Sequence, residues 1–167
     1  TLAGTVVMGQ LELSGFPGAV LLVEHEAGAI QIDSGGMLTV RSLEITADPT
    51  ESRRRAFRVV DGTLVLEDVY VHGIEKNNGA GAAVLVDPLA TSSVTVRRST
   101  FVDLHASHHG AALASELGGI TVEDSTFTNL EADSRGGAID MQDGRLEVVR
   151  SSFTANISGV AGAISCS

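Results

Sequence analysis

The 167-residue chain carries a formal net charge of −10, with one Tyr, five Phe, no Trp, one Cys, nineteen Gly and three Pro. Its length suits one domain, its acidity argues against nucleic acid, whose binders present a basic face, and no apolar run reaches the roughly 20 residues that span a bilayer. The first residue is Thr, so the native N-terminus is expected to have been removed, and the lack of a targeting segment carries no weight.

Residues 1–28 read as an irregular opening coil, with strands at roughly 5–8, 11–13 and 19–23 and a turn at Pro17-Gly18. From Ala29 onward the chain repeats itself, and a period outranks any local reading of propensity. Alternating segments begin at Leu38, Leu64, Val94, Ile120 and Leu146, spaced by 26, 30, 26 and 26 residues. Seven residues after each start stands another large apolar residue: Ile45, Val71, Phe101, Phe127 and Phe153. A third column precedes them, as Ala29-Ile30, Ala56-Phe57, Ala83-Val84, Ala112-Leu113, Ala138-Ile139 and Ala163-Ile164.

A unit of this length, with apolar residues at period 2 in each strand, cannot close a core alone but can stack on copies of itself. The expected fold is therefore all-β: a right-handed, single-stranded parallel β-helix of about six coils of roughly 26 residues, three short strands per coil. It forms one domain over 1–167, with the opening coil at 1–28, regular coils at 29–162 and the start of a further coil at 163–167. The expected core is built from Leu38, Ile45, Leu64, Val71, Val94, Phe101, Ile120, Phe127, Leu146 and Phe153. A further inward column, Leu43, Val69, Ser99, Ser125 and Ser151, exchanges a medium residue for a small one where Phe replaces Ile or Val, which conserves volume.

The turn after the first strand is acidic in most coils: Asp33, Asp61, Asp87, Glu116 and Asp143. Turn chemistry accounts for it better than a stacked Ca²⁺ column, because loop lengths vary and no second Asp recurs at a fixed offset. At the next corner the columns Arg41, Glu67, Arg97, Glu123, Val149 and Ser42, Asp68, Arg98, Asp124, Arg150 alternate in sign. Stacked opposite charges set register; a recognition stripe would not cancel itself.

The return loops (48–55, 73–81, 104–110, 130–136, 156–162) are short. Arg53-Arg54-Arg55 reads as a solvated loop. His105, His108 and His109 could bind a transition metal or a proton, but their own loop offers no carboxylate beyond Asp103 and no closed-site spacing. No metal, cofactor or catalytic residue is therefore assigned. Asn156-Ile157-Ser158 is a glycosylation sequon, with Asn156 read in preference as a turn residue bonding the next coil. Cys166 reads as a buried free thiol rather than a half-disulfide.

Gly136-Gly137-Ala138-Ile139 and Phe153-Thr154-Ala155-Asn156 resemble the two halves of the polymorphic outer membrane protein repeat, Gly-Gly-Ala-(Ile/Leu/Val) and Phe-x-x-Asn. Gly110-Ala-Ala-Leu113, Gly81-Ala-Ala-Val84, Phe127-Thr-Asn-Leu130 and Phe101-Val-Asp-Leu104 are degenerate copies. Residues 11–45 look like the first coils of pectin-lyase-like proteins. The resemblance implies a right-handed β-helix of secreted or surface-exposed adhesins and passenger domains. The expected function is a non-catalytic module in adhesion or scaffolding, extracellular or at the cell surface. Expected partners are a carbohydrate or cell-surface ligand, and protein or flanking chain against both open ends, as for a piece of a longer solenoid. The alternatives are a carbohydrate-active enzyme of pectin-lyase type and an architectural subunit of a filament or large complex. The enzyme is disfavoured because no loop is long enough to wall a cleft.

Overall fold

Each strand pairs in parallel with the strand one period away, so every coil lies on the next. The second-strand column runs Leu11↔Leu38↔Leu64↔Val94↔Ile120↔Leu146, and the third Leu21↔Ile45↔Val71↔Phe101↔Phe127↔Phe153. The approach column runs Ile30↔Phe57↔Val84↔Leu113↔Ile139↔Ile164. The computed structural model describes residues 4–24, 26 and 28–167, which form an all-β parallel solenoid without helix, about 6 turns about 26 residues apart. The winding is compatible with the right-handed sense that parallel crossovers favour.

The opening coil is more regular than its sequence suggests. Thr5–Val7, Gln10–Ser14 and Val20–Val23 pair in register with Ile30–Ile32, Gly36–Arg41 and Glu44–Ala47. Residues 1–3, 25 and 27 of that coil lie outside the described residues.

Three strands per coil is corrected to four sheets, of seven, six, six and four strands among the described residues. The additional sheet lies in the return segments, as Glu75–Lys76, His105–Ala106, Glu131–Arg135 and Ile157–Val160. Just before these strands, Ile74, Leu104 and Leu130 fill the core.

The inward ladders are like on like. Leu38, Leu64, Val94, Ile120, Ile45, Val71, Phe101 and Phe127 are buried, while Leu146 and Phe153 in the last full coil are partly buried. Phe101, Phe127 and Phe153 stack with ring centroids 4.8 Å apart and nearly parallel planes, an arrangement dictated by the coil spacing rather than by ring electrostatics.

The serine column is a hydrogen-bond ladder. Ser99 and Ser125 are buried, and the hydroxyls of Ser99, Ser125 and Ser151 donate to the carbonyls of Arg97 (2.7 Å), Glu123 (2.7 Å) and Val149 (2.9 Å). Each also accepts from the preceding coil, from the N–H of Val69 (3.2 Å), Ser99 (3.1 Å) and Ser125 (3.1 Å). A small hydroxyl thus leaves room for Phe and satisfies backbone groups where the strand pairing breaks.

The corner itself is a left-handed residue. Ser42, Asp68, Arg98, Asp124 and Arg150 have φ of 52°, 53°, 45°, 48° and 47°. Side chains with a Cβ pay about 1–2 kcal/mol for this conformation. Offsetting contacts come from the next coil: the N–H groups of Ser42, Asp68, Arg98 and Asp124 donate to the carbonyls of Glu67, Arg97, Glu123 and Val149.

Candidate functional site

The corner charges lie on the outer surface and pair from coil to coil. Arg41 bridges Glu12 (2.7 Å) and Glu67 (2.6 Å), Arg97 meets Glu123 (3.0 Å), and Arg150 meets Asp124 (2.6 Å). Arg98 reaches both Glu67 and Asp68. Hydrogen bonds from Arg41 hold the carboxyls of Glu12 and Glu67 below their ordinary range, as Arg150 does for Asp124. These charges pair with one another across coils, as their alternation implies.

Three of the five acidic turns are also engaged within the protein through their carboxylates. Asp33 Oδ1 accepts from the N–H of Ser34 (2.7 Å), Asp61 from the hydroxyl of Thr91 (2.8 Å), and Asp87 takes both arms of Arg58 (3.1 and 2.7 Å). The arginine triplet is solvated only in part: Arg53 is exposed and Arg54 half-buried, but Arg55 is not solvated. Arg55 is buried, donating to the carbonyls of Gly81 (2.9 Å) and Ala80 (2.6 Å). Burial pushes its pKa down to about 10. Beside it Lys76, buried as well, donates to the carbonyls of Glu26 (2.9 Å) and Arg53 (3.2 Å), and burial followed by repulsion from Arg55 lowers it to about 8. A loop that must close over the solenoid edge uses long cations to satisfy its inward carbonyls.

The return segments hold the least compensated chemistry. The fourth sheet pairs Glu75↔His105↔Glu131 in one outward column. His105 Nε2 lies 3.1 Å from Asp133 Oδ1, and its Nδ1 lies 3.9 Å from Glu75 Oε1. Ligand atoms of His105, Glu131 and Asp133 all fall within 4.8 Å of one another. An open, shallow groove lined by Pro49, Glu51, Gly73, Ile74, Glu75, Asp103 and His105 runs beside this column. The three histidines do not act together. His108 and His109 contact each other, ring centroids 5.9 Å apart, whereas His105 belongs with the acidic residues of adjacent coils.

His109 lies near a second cluster, which the sequence reading missed. Asp140, 1 % exposed, faces outward from the first sheet, with Oδ2 3.6 Å from Arg135 Nη2. Asp140 Oδ1, Arg135 Nε and His109 Nδ1 are buried without a protein partner. Burial holds the His109 pKa below its ordinary value, against the opposing pull of Asp140. The signal in the sequence was an Asp inside the apolar run Ala138-Ile139-Asp140-Met141.

Asn156 occupies the column of Leu104 and Leu130. Its Oδ1 accepts from the N–H of Leu130 (3.1 Å) and its Nδ2 donates to the carbonyl of Phe127 (3.0 Å), so it bonds the preceding coil rather than the next. Glycosylation there would have to break the Nδ2 bond. Cys166 is free but exposed, not buried. It continues the inward column after Met141, and no following strand covers it among the described residues. Comparisons with protein-family models, curated proteins and solved structures found no match.

Proposed function

We propose that the chain is a non-catalytic β-solenoid module that acts in adhesion or as a structural scaffold, outside the cell or at its surface. The observation that carries this reading is the disposition of the outer charges. Along the corner they pair with one another at coil spacing, which favours a stiff, regular ribbon over a recess that converges on a substrate. The grooves beside Glu75 and beside Gln10, Glu12 and Thr39 are shallow, a form suited to an extended ligand laid along the stack. Kinship with polymorphic outer membrane protein repeats or pectin-lyase-like helices is part of this proposal, resting on the Gly-Gly-Ala-Ile and Phe-x-x-Asn residues. Fold kinship alone carries no activity.

One observation favours the carbohydrate-active alternative: a buried Asp140 with a free oxygen beside Arg135 and His109. One experiment separates the two. The chain is incubated with a panel of acidic and neutral polysaccharides, following unsaturated products and new reducing ends, and the same polysaccharides are tested for binding. The scaffold reading expects no turnover, with or without Asp140→Asn. Turnover by the wild type that Asp140→Asn abolishes would replace it with the enzyme.

A further inference from the structure

We propose that His105, Glu131 and Asp133 form a binding site for one divalent transition-metal ion, of which Zn²⁺ has the best-matched chemistry. The proposal starts from an exception. Elsewhere the stacked charges alternate in sign, as in the ladder column Arg41, Glu67, Arg97 and Glu123. The outward column of the fourth sheet instead brings Glu75, Glu131 and Asp133 around one imidazole. Among the described residues no Arg or Lys forms an ion pair with any of these three carboxylates, and the lysine of this sheet, Lys76, is buried and bonded to carbonyls. A bound cation would complete the alternation.

The donor set points to the class of ion. An imidazole nitrogen with carboxylate oxygens suits Zn²⁺ and its neighbours, whereas Ca²⁺ and Mg²⁺ take oxygen ligands and would leave the histidine unused. Zn²⁺ binds nitrogen and carboxylate oxygen at about 2.0–2.2 Å, which sets tetrahedral ligand atoms about 3.3 Å apart. The present spread of up to 4.8 Å closes by rotating the exposed side chains of Glu131 and Asp133, the metal taking the place of the proton between His105 Nε2 and Asp133 Oδ1.

The other ring nitrogen supplies an independent observation. His105 Nδ1 is buried and has no hydrogen-bond partner, yet it faces Glu75 Oε1 at 3.9 Å. A metal-ligating histidine turns its second nitrogen toward a carboxylate, which fixes the tautomer and strengthens the ligand. With the metal on Nε2, Glu75 takes that orienting role. Strand register assembles the site: His105↔Glu131 is a ladder pair, and Asp133 follows on the same strand.

Calorimetric titration of the 167-residue chain with ZnCl₂ in a non-coordinating buffer, with CaCl₂ as a parallel arm, tests the assignment. One Zn²⁺ per chain is expected. His105→Ala, Glu131→Gln and Asp133→Asn should each weaken binding by about tenfold or more, and Glu75→Gln by about tenfold. His108→Ala and His109→Ala should bind as the wild type does. Glu131→Gln and Asp133→Asn change exposed groups, so they keep the test valid should His105→Ala misfold. The proposal is overturned if Zn²⁺ does not saturate, or if binding survives all three ligand changes. It is also overturned if binding follows His108 or His109, or if Ca²⁺ binds as tightly as Zn²⁺ and independently of His105, which would leave an acidic patch only.

Discussion

At the scale of single residues, burial and stacking decide which positions matter. Phe127 is fully buried between Phe101 and Phe153, and its neighbours cannot collapse inward because each is held by its own coil. Phe127→Ala is expected to cost about 3–5 kcal/mol, read from the midpoint of a denaturant melt. A loss under about 1 kcal/mol would remove Phe127 from the core. Lys76 yields a pH prediction. Its folded pKa of about 8 lies below the ordinary 10.5, so below pH 8 both folded and unfolded chains carry the charge and the burial penalty is fully present. Between about 8 and 10.5 the folded chain sheds the proton first, and stability rises with pH. Melts at pH 7.5 and 9.5 should show a gain in the wild type that Lys76→Met lacks; equal slopes would contradict the burial account.

Within one element, the corner between the second and third sheets combines three devices: a left-handed residue, a serine hydroxyl and a charge ladder. The first two satisfy backbone groups where the chain changes direction. The third opposes slippage, a real hazard when neighbouring coils share one pattern. Glu123→Arg would set like charges beside Arg97 and cost about 0.5–1 kcal/mol. Both side chains are partly exposed, so the pair sits at the lower end of that range and is screened by salt. The same loss in 1 M salt as in low salt would refute the electrostatic account.

The whole molecule is a one-dimensional stack in which each coil is stabilised by its neighbours. Residues of the middle coils are buried on both sides, whereas Arg145–Val149, Ser152–Thr154 and Ile157–Val160 are half-buried or exposed, as is Gln10–Ser14. Amide hydrogen exchange should therefore be slowest from about residue 57 to 141 and faster toward both ends, because local opening follows burial. Uniform protection across the coils would mean that the stack opens only as a unit.

The period, the three apolar ladders and the alternating corner charges were legible in the sequence because coil-to-coil contacts repeat at a fixed spacing and like packs on like. Leu38, Leu64 and Val94, or Phe101 and Phe127, announce their contacts by their intervals. The fourth sheet was not legible, since Glu75–Lys76 and His105–Ala106 are too short to show a period. Nor were the left-handed corners, which fall on Arg and Asp rather than Gly because the neighbouring coil holds them. Burial of Arg55, Lys76 and Asp140 also depended on how return loops fold back over the stack. The candidate metal ligands follow the same rule. His105 shares no local motif with Glu131 or Asp133, and only the winding of one coil onto the next, which sets ladder partners about 4.8 Å apart, makes them neighbours.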